Sequence, residues 1–384
     1  MPTYAHSPIR IGIGARTYGY KRVSYGLPVP GATFRKVIYA PWKALAPTDN
    51  RLRNAYWFRP LARVDLYHLR NSFCFNRKPW ITGFEGHLPR HCGYPKDRLY
   101  YKGLELLHGQ YCRALLPQSK FALGFFKEQN QGQLDQSLLD KMQVFYGGVP
   151  IDEGLVRLHK EFVATEREAF TVTMIAHDFF QKCGPAVLEA FKNLKRSIPH
   201  LRLRIFSRIQ ANDFVTSASE DDRQSVIQAI SATQDIEWNE SVPHSQLFPL
   251  IAKSHLFVMP TLDDTFGWAI AEAMSIGVPV ISTNVCAVPE MVKHNVTGFQ
   301  IKLPLQRNLR WKGLEHSQGS GERRQAVKEV YELVADRLAG MMQEFWEDTA
   351  SWQVMSEAGI MHIRQQHDPR GQAAKLRSIY EECL

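Results

Sequence analysis

The chain has 384 residues, 44% of them hydrophobic and 22% charged, with 25 glycines and 21 prolines. This globular composition excludes a disordered, collagenous or disulfide-scaffold protein and suggests roughly two or three domains. The net charge of +9 is uneven, with 22 basic against 8 acidic side chains in residues 1–150 and 25 against 30 in residues 151–384.

In chain order, residues 1–35 match no element. Their Gly12-Ile13-Gly14 starts like a dinucleotide fingerprint but lacks the third glycine and the amphipathic helix that should follow. Strands are predicted over 37–42, 64–70, 80–85, 114–118 and 142–146, with a helix over 104–113. Gly147-Gly148-Val149-Pro150 is turn chemistry at the point where the charge balance changes sign, which sets the boundary between a domain over 1–150 and another over 151–369. From there strands over 171–177, 201–209, 236–242, 255–261, 279–283 and 298–302 alternate with helices over 185–196, 221–233, 244–253 and 267–276. Apolar strands alternating with helices imply an α/β, doubly wound parallel sheet covered on both faces. Residues 307–325 are polar and read as a loop, and helices over 326–345, 352–366 and 370–383 end the chain.

No apolar run approaches the ~18–20 residues of a membrane-spanning helix. The N-terminus lacks the pattern of a secretory signal, and six cysteines occur without a Cys-x-x-Cys pair, so a cytoplasmic protein with reduced thiols is expected. The basic first part suits an anionic neighbour, with attachment at the inner face of a membrane as one form of it. Nucleic acid is not expected, because no recognisable binding module accompanies the charge.

The segment 255–298 carries the most chemistry. Asp263-Asp264-Thr265 falls between a strand and a helix, so Asp264 or Thr265 can cap the helix while the amides of Thr265, Phe266 and Gly267 face an oxygen-rich ligand. Glu272 lies about two turns further along, near the same face, where a second carboxylate can hold hydroxyls of an extended ligand. His87, His91 and Cys92 form an incomplete ligand set, so no metal is expected.

These residues resemble the retaining GT-B glycosyltransferases of family 4. That family's pattern is matched in order by Pro260, Asp264, Phe266-Gly267, Glu272-Ala273-Met274, Gly277-Val278-Pro279-Val280-Ile281 and Pro289-Glu290. The resemblance implies two Rossmann-like domains across a cleft, with the final helix over 370–384 completing the first. It implies that Glu272 binds the ribose hydroxyls of a nucleotide-sugar, most often a UDP- or GDP-sugar. Asp264 and its neighbouring amides would then contact the donor sugar. Lys182 matches the family's diphosphate lysine, and His177 stands where the family has an arginine. Asp264 stands where the family usually has glutamate, and the Gly-Gly phosphate loop is not evident, with residues 44–50 at its expected place. Residues 79–87 resemble the strand that ends at a cleft histidine; here Glu85 takes that position and His87 follows, either able to orient acceptor or donor. The implied activity is sugar transfer to a glycan or lipid-linked acceptor in cell-surface polysaccharide or glycoconjugate synthesis. The alternative is a protein that keeps the fold and binds nucleotide-sugars or glycans without turnover.

Overall fold

The computed structural model describes residues 7–14, 27–40, 55–59, 62–91, 95–165 and 168–384. The chain divides into two compact units, Met1–Val149 with His367–Leu384, and Pro150–Gln366.

In the first unit, among the described residues, five parallel strands are ordered β2-β1-β4-β6-β7. They are β1 (Ile9–Ile13), β2 (Ala32–Lys36), β4 (Leu66–Arg70), β6 (Trp80–Phe84) and β7 (Cys112–Pro117), and the short β3 (Ala55–Tyr56) and β5 (Phe73–Cys74) pair separately. Counted along this sheet the order is 2-1-3-4-5, a doubly wound arrangement. The strand that sequence patterning left unplaced, β1, is therefore an interior one. Ile9, Ile11 and Ile13 are buried, and Gly12 is small because a Cβ there would lie 2.6 Å from the Tyr67 ring. The glycine makes room for an aromatic neighbour and at the same time interrupts the apolar run that marks a strand.

Three other expectations for this part of the chain are corrected. The strand expected over 37–42 is β2, five residues earlier: it is an edge strand with a mostly exposed ATFRK sequence, whereas the apolar Ile38 beyond it is 72% exposed. An edge strand pairs on one side only and needs no apolar run. Residues 142–146 lie beside β7, with Gln143 and Phe145 amides donating to Leu115 and Pro117 carbonyls, but form one bridge at Met142 instead of a strand. The helix expected over 104–113 is Arg98–His108, set by Asp97, whose carboxylate accepts from the Leu99 and Tyr100 amides. Helices Lys120–Gln129, Gln136–Asp140 and Glu153–Thr165 were not expected.

The helix Pro369–Glu382 belongs to the first unit. Its Ala373, Leu376, Ile379 and Tyr380 share a core with Ile11, Leu66, Ile81, Leu116 and Phe145. The Tyr380 hydroxyl meets His68 Nδ1 at 2.8 Å. Burial, with the Arg70 charge nearby, pushes the His68 pKa down to about 3, so this ring is neutral at physiological pH.

In the second unit six parallel strands are ordered β10-β9-β8-β11-β12-β13 among the described residues. These are β8 (Phe170–Ala176), β9 (Leu201–Ser207), β10 (Ile236–Asn239), β11 (Leu256–Met259), β12 (Val280–Thr283) and β13 (Gly298–Ile301). The order is 3-2-1-4-5-6, whose direction reverses between β8 and β11; ligands of such sheets bind beyond the carboxyl ends of the strands at that reversal. All four residues of both β11 and β12 are buried, as befits strands covered on both faces. Residues 307–325 are more ordered than a loop. Leu305 bridges Trp311, which is buried, a 3-10 turn spans Lys312–Glu315, and the buried Arg323 donates to the carbonyls of Val215, Leu314 and His316. The next helix, Gly321–Glu347, starts five residues before its expected position because Ser320 caps it. No helix among the described residues is long and apolar enough to cross a membrane.

Candidate functional site

The residues singled out in the second unit gather at the sheet reversal. β8 ends at Ala176, and His177 follows it, exposed. Six residues past the end of β8, Lys182 turns back under the segment that follows β11 and is only 7% exposed. Its ammonium donates to Asp264 Oδ2 at 2.7 Å, the Asp263 carbonyl at 2.9 Å and Thr261 Oγ1 at 3.1 Å. An ammonium has three protons, so these acceptors fix its position completely.

Asp264 is held from the other side by its own chain. Its Oδ1 accepts from the Phe266 amide at 3.0 Å and the Gly267 amide at 2.6 Å. Gly267 has φ 86°, a left-handed conformation that a side chain disfavours, and it opens the helix Trp268–Ile276. Burial acts to raise the Asp264 pKa, but the Lys182 charge and hydrogen bond and the two amides outweigh it and hold the carboxyl below its ordinary value. The amides of Phe266 and Gly267 therefore do not point at open space, as the sequence suggested, but at Asp264. Thr265 is half-buried between them.

Glu272, on that helix, is 6% exposed. Its Oε1 lies 3.0 Å from Nε2 of His244, the first residue of the helix His244–Ala252, whose ring packs edge-on against Phe248. The sequence singles out no residue of the segment 236–250 as a site residue. It also missed a pair behind Lys182: Arg310 grips the Asp263 carboxylate with two N–H groups, at 3.0 and 3.3 Å, and Cys286 Sγ lies 3.3 Å from the same carboxylate.

Glu85 and His87 lie in the first unit. Glu85 follows β6, and its carboxylate accepts from Arg70 and Arg90 at 2.7 Å each and from Asn71 Nδ2 at 3.1 Å. Burial acts to raise its pKa, yet the two guanidinium charges and these bonds hold it low. The His87 ring sits edge-on to His91 and Phe125, at 4.9 and 4.7 Å. Cys92 and residues 44–50 lie outside the described residues. Among the described residues β1 is the first strand, and the chain leaves it at Gly14. Among the described residues no cluster of three or more His, Cys, Asp or Glu side chains could hold a metal ion.

Residues 156–331 match the family model described as glycosyl transferases group 1. This stretch is similar to the group 1 glycosyltransferases. It contains Lys182, Asp264, Glu272 and Arg310, so the whole cluster at the sheet reversal lies inside the matched stretch. The gpi3 subunit of the Schizosaccharomyces pombe phosphatidylinositol N-acetylglucosaminyltransferase is 38% identical over 64 residues, 17% of this chain and 14% of that protein. Sucrose synthase of Solanum tuberosum is 28% identical over 127 residues, 33% of this chain and 13% of that protein. The chain thus spans about one seventh of the length of the curated relatives it matches. Among solved structures, HepE of Anabaena in complex with UDP aligns over 97% of this chain and 99% of that one, with TM-score 0.61 and 14% identity. The fold is therefore of the GT-B type, built from two Rossmann-like units.

Proposed function

We propose that this protein is a glycosyltransferase that moves a sugar from a nucleotide-sugar donor to a glycan or lipid-linked acceptor, with retention at the anomeric carbon. The observation that carries the reading is the convergence of Lys182, Thr261, Asp263 and Asp264 at the reversal of a nucleotide-type sheet, with buried Glu272 on the helix that follows. Lys182 would give up one of its three acceptors to a diphosphate oxygen and stabilise the charge that builds there as the sugar leaves. Exposed His177 would add a hydrogen bond or a second charge on the same diphosphate. Glu272 would accept the ribose hydroxyls, with His244 holding its other oxygen, and Asp264 with Thr265, Phe266 and Gly267 would frame the donor sugar. Glu85 and His87 would serve the acceptor side. A UDP- or GDP-sugar is the expected donor, since HepE is seen with UDP and an O-antigen mannosyltransferase of Escherichia coli is 47% identical over 51 residues.

A panel of UDP-, GDP- and ADP-sugars tests this. One nucleotide class should raise the melting temperature of the wild type and be slowly hydrolysed, and Glu272→Ala should lose that shift, with binding weakened roughly 10–100-fold on the scale of a lost charged hydrogen-bond acceptor. A shift with no hydrolysis or transfer would favour the sugar-nucleotide-binding alternative. The absence of any shift would refute the donor site.

The first unit also supports a membrane-facing role. Ile38 is 72% and Trp57 51% exposed, on one face of the paired segments joined at Tyr39 and Phe58, with exposed Arg35, Lys36 and Arg59 around them. Apolar side chains ringed by cations suit an anionic lipid surface. The protein should sediment with phosphatidylglycerol vesicles at low salt, and Trp57→Ser combined with Ile38→Ser should weaken this several-fold. Equal binding by wild type and variant would remove this patch from the account.

A further inference from the structure

We infer that Arg310 is a positioning residue for the diphosphate lysine, acting through Asp263. The inference rests on the donor site proposed above. Asp263 meets the cluster twice: its carbonyl receives the Lys182 ammonium and the Thr261 hydroxyl, and its carboxylate is held by Arg310 with Cys286 on one side. The guanidinium is planar and grips both carboxylate oxygens, so it fixes the plane of the side chain as well as its charge. Arg310 and Asp263 are each about one-fifth exposed, so this pair is shielded more than a surface salt bridge.

Charge balance gives the pairing its purpose. Lys182 faces Asp264 directly, and a second carboxylate sits on the residue whose carbonyl it touches. With Arg310 present the four groups sum to zero and Lys182 answers to one carboxylate only. Without Arg310, the Asp263 carboxylate is uncompensated and competes with a diphosphate for the same ammonium. Arg310 reaches this place from the segment 307–325, whose bridge at Leu305 and Trp311 and whose 3-10 turn hold it in register.

The test is a double-mutant cycle read by binding of the nucleoside diphosphate that the wild type prefers. Arg310→Ala should weaken that binding about tenfold, and Arg310→Lys should recover part of it. The double variant Asp263→Asn with Arg310→Ala should return to within about twofold of Asp263→Asn alone, because removing the carboxylate removes the need for its partner. Additive losses in the cycle, with a lowered melting temperature that Asp263→Asn does not restore, would overturn the inference and leave Arg310 as a fold contact. If the wild type binds no nucleoside diphosphate, the donor-site reading falls first and this one with it; binding with an additive cycle sinks only this one.

Discussion

Replacing Lys182 by alanine is expected to lower the turnover number about 10²–10³-fold, the scale on which a single preorganised charge-stabilising donor acts. The effect should fall mainly on kcat, because the ammonium matters most when negative charge gathers on the departing diphosphate. A donor with a better leaving group should therefore lose less, and comparing the two donors separates leaving-group assistance from simple loss of binding. An equal loss on both donors, carried entirely in KM, would contradict the role. The variant also changes the acid limb of stability. In the wild type the Asp264 carboxyl lies below its ordinary value, so its stabilising contribution is complete above the unfolded carboxylate pKa and disappears as pH falls through the lowered one. Removing Lys182 should shrink that acid-dependent contribution, which thermal melts between neutral and acidic pH will show.

The largest effect on stability is expected from Gly298→Ala. Gly298 opens β13 opposite Val280 of β12 with φ 155°, and a Cβ there would lie 2.2 Å from the Val280 carbonyl oxygen. The obstacle is backbone in a buried ladder, so no side-chain rotation relieves it and β13 must part from β12. A cost of at least about 3 kcal/mol is expected, placing the variant in the diagnostic tail of single substitutions. For a unit of this size that is a fall of roughly 6–12 °C in melting temperature. A melting temperature within about 2 °C of wild type would show that the strand edge yields, contrary to this account.

The second unit was legible because its strands are buried on both faces. Leu256–Met259 is an unbroken apolar run, Val280–Thr283 follows Gly277-Val278-Pro279 and is equally buried, and the helix Gly184–Lys195 carries a clear period. The first unit hid its order for local reasons. β1 contains a glycine that Tyr67 requires, β2 is polar because it is an edge, and the apolar Ile38 that looked like strand is a surface residue. At the site, Lys182, Asp264 and Glu272 were visible through motif spacing. Arg310 was not, since it meets Asp263 across 47 residues of sequence from a stretch that reads as polar loop. His244 was equally hidden, 28 residues from Glu272. Side-chain pairs that close over such separations leave no periodic trace.

The return of the helix Pro369–Glu382 to the first unit has a consequence for biosynthesis. As the chain leaves the ribosome, residues 1–149 emerge first but lack the side chains of Leu376, Ile379 and Tyr380 that finish their core. Pro150–Gln366 is contiguous and can fold as soon as it is exposed. The unit made first is thus completed after the second: His68 stays without its tyrosine until Pro369–Glu382 has been made, and a chain cut before residue 369 would carry a finished second unit tethered to an unfinished first.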